Sequence, residues 1–301
     1  MAQPELTPQL ALLEEALTVL FCRIDDTYYR LNPKGRSYET LKELSDSEIM
    51  TLALLQQLRG IQSQRSFLRE VARFFSHLFP GVVGLHPSSL HRRVGKLRRY
   101  FEPLRRAIIL SELVGEPETL IVDSTLLSVL HPREVPQSGG WGSSSAGAAW
   151  VRWGSFSVYG VKLHLLCATN RVPISYELTP ANTADLSLTE ELIAEADLGE
   201  EVARRLLGDL AYRSAELEEE LAELGIVVVT NEASARRPGV RQQIEITFSS
   251  LKRTLGLGET LATTLVGLVT RIAAKMSAYT YAFLINRVLG RPQGRIKELW
   301  A

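Results

Sequence analysis

Cysteine is nearly missing from this chain: Cys22 and Cys167 are the only two in 301 residues. Two cysteines cannot build a disulfide framework or a four-cysteine zinc site, and they suit a reducing compartment. Net charge is missing as well, since 34 Lys and Arg stand against 34 Asp and Glu. No global cationic field therefore advertises a nucleic-acid partner. No apolar run approaches the roughly 18 residues of a membrane span. The stretch from Met1 to Pro8 lacks the basic and apolar regions of a signal peptide, and no internal repeat is present. The expectation is a cytoplasmic protein with no membrane partner. The chain does have an ordinary globular composition, 45% hydrophobic and 23% charged, which excludes a disordered chain. At roughly 100–200 residues per domain, its length allows two domains or one elaborated domain.

The zero balance hides segregation. Between Arg59 and Arg106 eleven bases face only two acids, Glu70 and Glu102. Between Glu177 and Glu223 fourteen acids face three bases, and from Arg236 onward eleven bases face three acids. Such blocks can make a local basic groove that binds phosphates. They can equally be solvated helix faces.

The first third reads as helical. Apolar residues recur at helical spacing from Pro8 to Arg23. Ser45 and Glu48 form a capping-box pair opening a helix that runs to about Arg59. Phe67, Leu68, Val71, Phe74, Phe75 and Leu78 make one stripe of a third helix. A fourth, Ser88–Phe101, carries Arg92, Arg93, Lys96, Arg98 and Arg99, and Pro103 begins a fifth. Short helices ending in a basic one suggest a helix-turn-helix bundle contacting DNA through Arg92, Arg93 and Lys96, against the alternative of a basic helical cap.

Near Glu116 the pattern changes. Thr119–Asp123 and Arg205–Asp209 are short apolar runs, each ending in a carboxylate, and read as buried strands. Val158–Thr169 alternates and pairs with Pro173–Thr179 as a hairpin, turning at Asn170-Arg171. His131–Ser155 is a Gly/Ser-rich loop or insertion holding Trp141, Trp150 and Trp153. Helices follow over Leu186–Ala196, Ser214–Leu224 and Gly239–Leu255, with a strand at Ile226–Thr230. Leu261–Leu289 is a long apolar helix or two, suited to a core or a dimer surface. The order predicts an α/β fold: a mixed sheet flanked by helices, preceded by an all-helical N-terminal domain. The boundary falls between residues 1–115 and 116–301.

Asp123 and Asp209 sit at strand ends, where α/β folds gather functional groups. Glu245 sits on a helix. Two or three carboxylates suit Mg²⁺ or Mn²⁺, and a pair of such ions serves phosphoryl transfer. A strand-end Asp is also a common turn former; the three together in this order make the chemical reading the stronger. Arg241, Glu245 and Lys252 fall at i, i+4 and i+11, close to one helical face, so two cations can flank the acid and hold phosphates.

These motifs resemble the bacterial insertion-sequence DDE transposases with an RNase H-like catalytic domain, over roughly Thr119 to Asn286. The matching residues are Ile121-Val-Asp123-Ser, Tyr159-Gly-Val-Lys162-Leu-His164-Leu, Leu207-Gly-Asp209-Leu-Ala-Tyr212 and the Arg241-x3-Glu245-x6-Lys252 helix. Two positions depart: Pro238 stands where the fuller signature has Tyr, and Ala211 replaces a common Gly. The resemblance implies that Asp123, Asp209 and Glu245 bind two Mg²⁺ or Mn²⁺ ions. It implies nicking of transposon ends and their joining to target DNA. The partners would be double-stranded terminal inverted repeats and target DNA, engaged by a homodimer on the nucleoid. The helical front would recognise the ends.

Lys162 and His164 share one hairpin face and are candidate phosphate contacts, although a strand His is more often structural. Trp141 and Trp153 are candidates for stacking on unpaired bases, against the equal alternative of incidental tryptophans in a disordered loop. Asp185 reads as an outer acid or, more simply, the cap of the next helix. The competing functions are an RNase H-like nuclease that does not join strands and a catalytically silent DNA-binding descendant.

Overall fold

The computed structural model describes residues 8–35, 42–131, 133–135, 141, 147–199, 202–230 and 238–299. Its contacts divide the chain into two compact units: residues 1–108, 254–256 and 272–301 form one, and residues 109–253 and 257–271 form the other.

The first unit is helical. It contains α1 (Pro8–Leu31), α2 (Asp46–Leu58), α3 (Gln64–Phe74), α4 (Pro87–Leu97) and α5 (Phe101–Ile108). The α1 helix outruns its expected end at Arg23 because Ile24 and Tyr28 continue the buried stripe. The expected capping box is formed at α2: Glu48 N–H donates to Ser45 Oγ at 3.0 Å, and Ser45 N–H to Glu48 Oε2 at 2.5 Å. That helix is buried on nearly every side, as a central helix should be. The sequence reading places all of 116–301 in one domain, whereas the contacts put 272–301 with the front helices. The cause is local. Ile272, Met276, Tyr279 and Phe283 are buried, Ser277 Oγ donates to Phe101 O, and Tyr281 OH to Leu104 O.

The second unit carries the sheet: β1 (Thr119–Leu130), β2 (Ala149–Trp153), β3 (Phe156–Ala168), β4 (Pro173–Pro180), β5 (Arg204–Gly208) and β6 (Ile226–Thr230). β1 pairs antiparallel with β3, and β3 antiparallel with β4. β5 runs parallel to β1, and β6 parallel to β5. Parallel neighbours need crossovers; α6 (Thr189–Ala196) links β4 to β5, and α7 (Ala215–Glu223) links β5 to β6. Three antiparallel strands followed by two strands parallel to the first make the RNase H-like mixed sheet that was expected. β2 was not expected, because its five residues lie in a segment read as loop. It extends the β4 edge by pairing with the first residues of β3.

Two further α-helices follow, α8 (Pro238–Arg253) and α9 (Leu265–Val288), and a 3₁₀ turn lies at Ile296–Leu299. Among the described residues no helix is long and apolar enough to cross a membrane.

Candidate active site

The register of the parallel strands sets the site. Thr119, Leu120 and Ile121 of β1 pair with Arg205, Leu206 and Leu207 of β5. Strand side chains alternate faces, so two residues past the Ile121–Leu207 pair put Asp123 and Asp209 beside one another on one face. The same alternation sends Thr125 to that face and Ser124 to the other.

Helix α8 covers the Asp123 face. Ile244, Phe248 and Leu251 are buried and anchor it, while Thr247 Oγ1 donates to Arg171 O. The other stripe points to the acids: Arg241 Nη2 lies 3.9 Å from Asp209 Oδ2, and Lys252 Nζ donates to Thr125 Oγ1 at 2.6 Å. Glu245 falls between these two cations on the same stripe, and it is exposed.

Each aspartate is fixed by a backbone donor. Ser124 N–H donates to Asp123 Oδ1, and Ala211 N–H to Asp209 Oδ1, both at 2.8 Å. Asp209 is thus also the cap of the 3₁₀ turn Leu210–Tyr212, as its turn-forming reading expects. Burial is the main cause that pushes Asp123 up to about 6 from the ordinary 3.8, with the Asp209 and Asp185 charges adding; the Ser124 N–H and Arg241 oppose. Tyr212 is pushed up by burial and by the three carboxylates of Asp123, Asp185 and Asp209. Among the described residues its buried hydroxyl has no hydrogen-bond partner.

The donor set fits a divalent cation in kind. Two hard carboxylates repel without a counter-charge, an unpartnered hydroxyl adjoins them, and Glu245 stands on the facing stripe. Among the described residues no three His, Cys, Asp or Glu side chains are gathered closely enough to hold a metal ion. The structure thus brings Asp123 and Asp209 together and leaves Glu245 apart from them.

This geometry has a stability consequence. A carboxyl whose folded value is raised favours folding while protonated, and that contribution is lost as pH rises from about 4 through about 6. With metal chelated, Asp123→Asn is therefore expected to melt a few degrees above wild type at pH 7.5. The difference should close toward pH 4. Thermal melts across this range, with and without Mg²⁺, check it; equal melting at every pH would mean that Asp123 carries no such strain.

Several expected contacts are corrected. His164 is fully buried, with Nε2 2.8 Å from Thr179 Oγ1. Burial pushes it down to about 4, opposed by Asp185 and assisted by Lys162, so it is a neutral internal residue. Lys162 Nζ is held by Asp185 Oδ1 at 2.9 Å and Thr183 O at 2.6 Å. Cross-strand pairing places both with Ser124, on the face opposite Asp123. Trp141 is fully buried. Its Nε1 donates to Ala262 O at 2.8 Å, and Tyr159 OH donates to its carbonyl at 2.6 Å, so it presents no ring for stacking. The Trp153 side chain lies outside the described residues. Asp185 does not cap: its side chain makes no capping hydrogen bond and instead accepts from Ser124 Oγ at 2.5 Å. Sequence reasoning missed this link, whose one visible signal was an acid just before a helix.

In the helical unit, a cleft is lined by Lys34, Lys42, Arg92, Arg93, Lys96 and Arg99. Arg92 and Lys96 are exposed. Arg93 differs: its Nη2 lies 2.8 Å from Asp46 Oδ1, while Lys42 Nζ holds Asp46 Oδ2 at 2.7 Å.

A mixed sheet in this strand order, with two acids abreast where its central parallel strands end, defines a protein of the RNase H-like class. The Transposase DDE domain family matches residues 115–281. That is more than half of the chain, and the chain belongs to this family. No curated protein matches it. Among solved structures, a piggyBac transposase synaptic complex with hairpin DNA is similar over 97% of this chain and 79% of that chain, at 12% identity and a TM-score of 0.46.

Proposed function

We propose that this transposase cleaves DNA at the ends of a mobile element of the insertion-sequence type and joins those ends to target DNA. The observation that carries the reading is the pairing of Asp123 and Asp209 on one face, beneath the Arg241–Glu245–Lys252 stripe of α8. Asp123, Asp209 and Glu245 are the residues to hold two divalent ions, Mg²⁺ or Mn²⁺; DDE transposases generally use such ions. When bound, the ions would supply Lewis acidity to an attacking and a leaving oxygen. The backbone donors at Ser124 and Ala211 fix the direction of the two aspartates. Arg241 and Lys252 bind and orient the phosphates flanking the scissile one, as charge-assisted donors do. Double-stranded terminal inverted repeats and target DNA are the substrates, and a homodimer is the form that engages them on the nucleoid.

The division of labour assigns end recognition to residues 1–115 and the chemistry to the following domain. Arg92 and Lys96 are the exposed cations of the helical cleft to test, and Arg93 is set aside because its guanidinium is already engaged by Asp46. Arg92→Ala with Lys96→Ala is expected to weaken DNA binding and to lower the salt slope by about 1–2, at roughly 0.9 for each phosphate no longer neutralised. Affinities measured from about 50 to about 200 mM salt read this directly. An unchanged slope would move the DNA-binding surface elsewhere.

The test of the whole reading is a supercoiled plasmid carrying the DNA that flanks this gene, incubated with Mg²⁺ or with chelator. Metal-dependent cuts at the element's ends, followed by joined products, are the expected result. Cuts without joining would make the protein a nuclease. Specific binding with no cuts would make it a silent DNA-binding descendant.

A further inference from the structure

Beyond Ile121 the β1 strand loses its β5 partner, and Asp123 lies in the stretch held by β3 alone on its ladder side. Something other than the sheet ladder must set that edge. The structure supplies a clamp from behind. Asp185 lies in the link from β4 to α6, on the face that α6 covers: Ser175, in register with Leu166 and through it with Val122, donates to Leu192 O of α6 at 2.5 Å. Alternation puts Val122 and Ser124 on that same face.

There a single oxygen, Asp185 Oδ1, takes both Ser124 Oγ at 2.5 Å and Lys162 Nζ at 2.9 Å. Lys162 is tied in turn to Thr183 O, two residues before Asp185. The triangle thus spans β1, β3 and the β4–α6 link, and its contacts are side chains 14% and 29% exposed for Lys162 and Asp185. Ser124 is the pivot: its hydroxyl faces Asp185 while its own backbone N–H donates to Asp123 Oδ1. Rotation of the Ser124 peptide would swing both bonds at once.

We propose that Asp185 is a positioning residue for the metal-binding acid Asp123, acting through Ser124 and anchored by Lys162. It does not ligate; it orients the strand that presents the ligand, as partners behind a metal ligand commonly do. The proposal rests on the reading of Asp123 as a ligand for a divalent ion.

The experiment is Mn²⁺ binding to the full chain without DNA, followed by electron paramagnetic resonance, on wild type, Asp123→Asn, Ser124→Ala, Asp185→Ala and the Ser124→Ala/Asp185→Ala double variant. Melting in chelator accompanies each. Loss of a partner behind a metal ligand typically weakens affinity by about 10–100-fold. Ser124→Ala is expected to weaken Mn²⁺ binding by about 10-fold at an unchanged melting temperature, a readout that a merely structural hydroxyl would not move. The double variant is expected to bind as Asp185→Ala does, because residues acting in series do not add. Additive losses, or a Ser124→Ala that binds Mn²⁺ as wild type does, would overturn the proposal and leave Asp185 a ligand or a structural residue. Wild type that binds Mn²⁺ no better than Asp123→Asn would overturn the metal-site reading, and the proposal with it.

Discussion

Asp209→Asn is expected to lower DNA cleavage by about 10³-fold or more, the several kcal/mol that a metal-centred charge supplies to the transition state. DNA affinity should stay within a few-fold of wild type. The substitution separates chemistry from architecture. Asp209 Oδ1 accepts from Ala211 N–H and caps the turn that carries Tyr212. Asparagine keeps an Oδ1 acceptor, so the turn persists, but it removes the negative charge. Loss of binding together with cleavage would mean that Asp209 is structural. Glu245→Gln is the sharper companion, because Glu245 is exposed on its helix and the fold has little to lose. Cleavage at the wild-type rate by that variant would remove Glu245 from the catalytic set. A strong loss at an unchanged melting temperature would place it there, brought to the aspartates when metal and DNA bind.

Trp141→Ala is expected to destabilise the sheet unit by about 3–5 kcal/mol, the usual cost of emptying a large aromatic site. At about 2–4 °C per kcal/mol for a unit of this size, the melting temperature should fall by roughly 6–20 °C. The ring is fully buried, and its indole N–H is the donor that satisfies Ala262 O. Trp141→Phe keeps most of the volume and loses that bond, so it should cost about 1–3 kcal/mol for the carbonyl left unpaired. Calorimetry or thermal melts measure both. A stacking residue would behave in the opposite way, with melting unchanged and DNA affinity lowered; that result would contradict the burial of this side chain.

The two results bear on how far the residues alone carried the reading. Asp123, Asp209 and the Arg241–Glu245–Lys252 stripe were visible because local rules govern them. An apolar run ending in Asp marks a strand end, and helical periodicity puts residues at i, i+4 and i+11 on one face. The capping box at Ser45 and Glu48 was visible for the same reason, since both partners lie within four residues. Trp141, His164 and Lys162 were legible only as residue types. Lys162 was assigned an outward role, for His164 and Trp141 an outward role stood beside a structural or incidental one, and each of the three is used inside the fold.

The sequence by itself determined the periodicities, and with them the order of every sheet strand but β2, the mixed sheet after a helical front, and the two acids at strand ends. Hydrogen-bond ladders and apolar stripes repeat over a few residues, so they are written along the chain. Tertiary structure alone decided which side chains meet across long separations. The parallel register brings Asp123 beside Asp209. The β4–α6 link brings Asp185 to Ser124, 61 residues away, and α9 brings Ser277 and Tyr281 to backbone carbonyls of α5. Those meetings depend on how strands align and helices pack, and packing free energy is shared among residues that no local pattern connects.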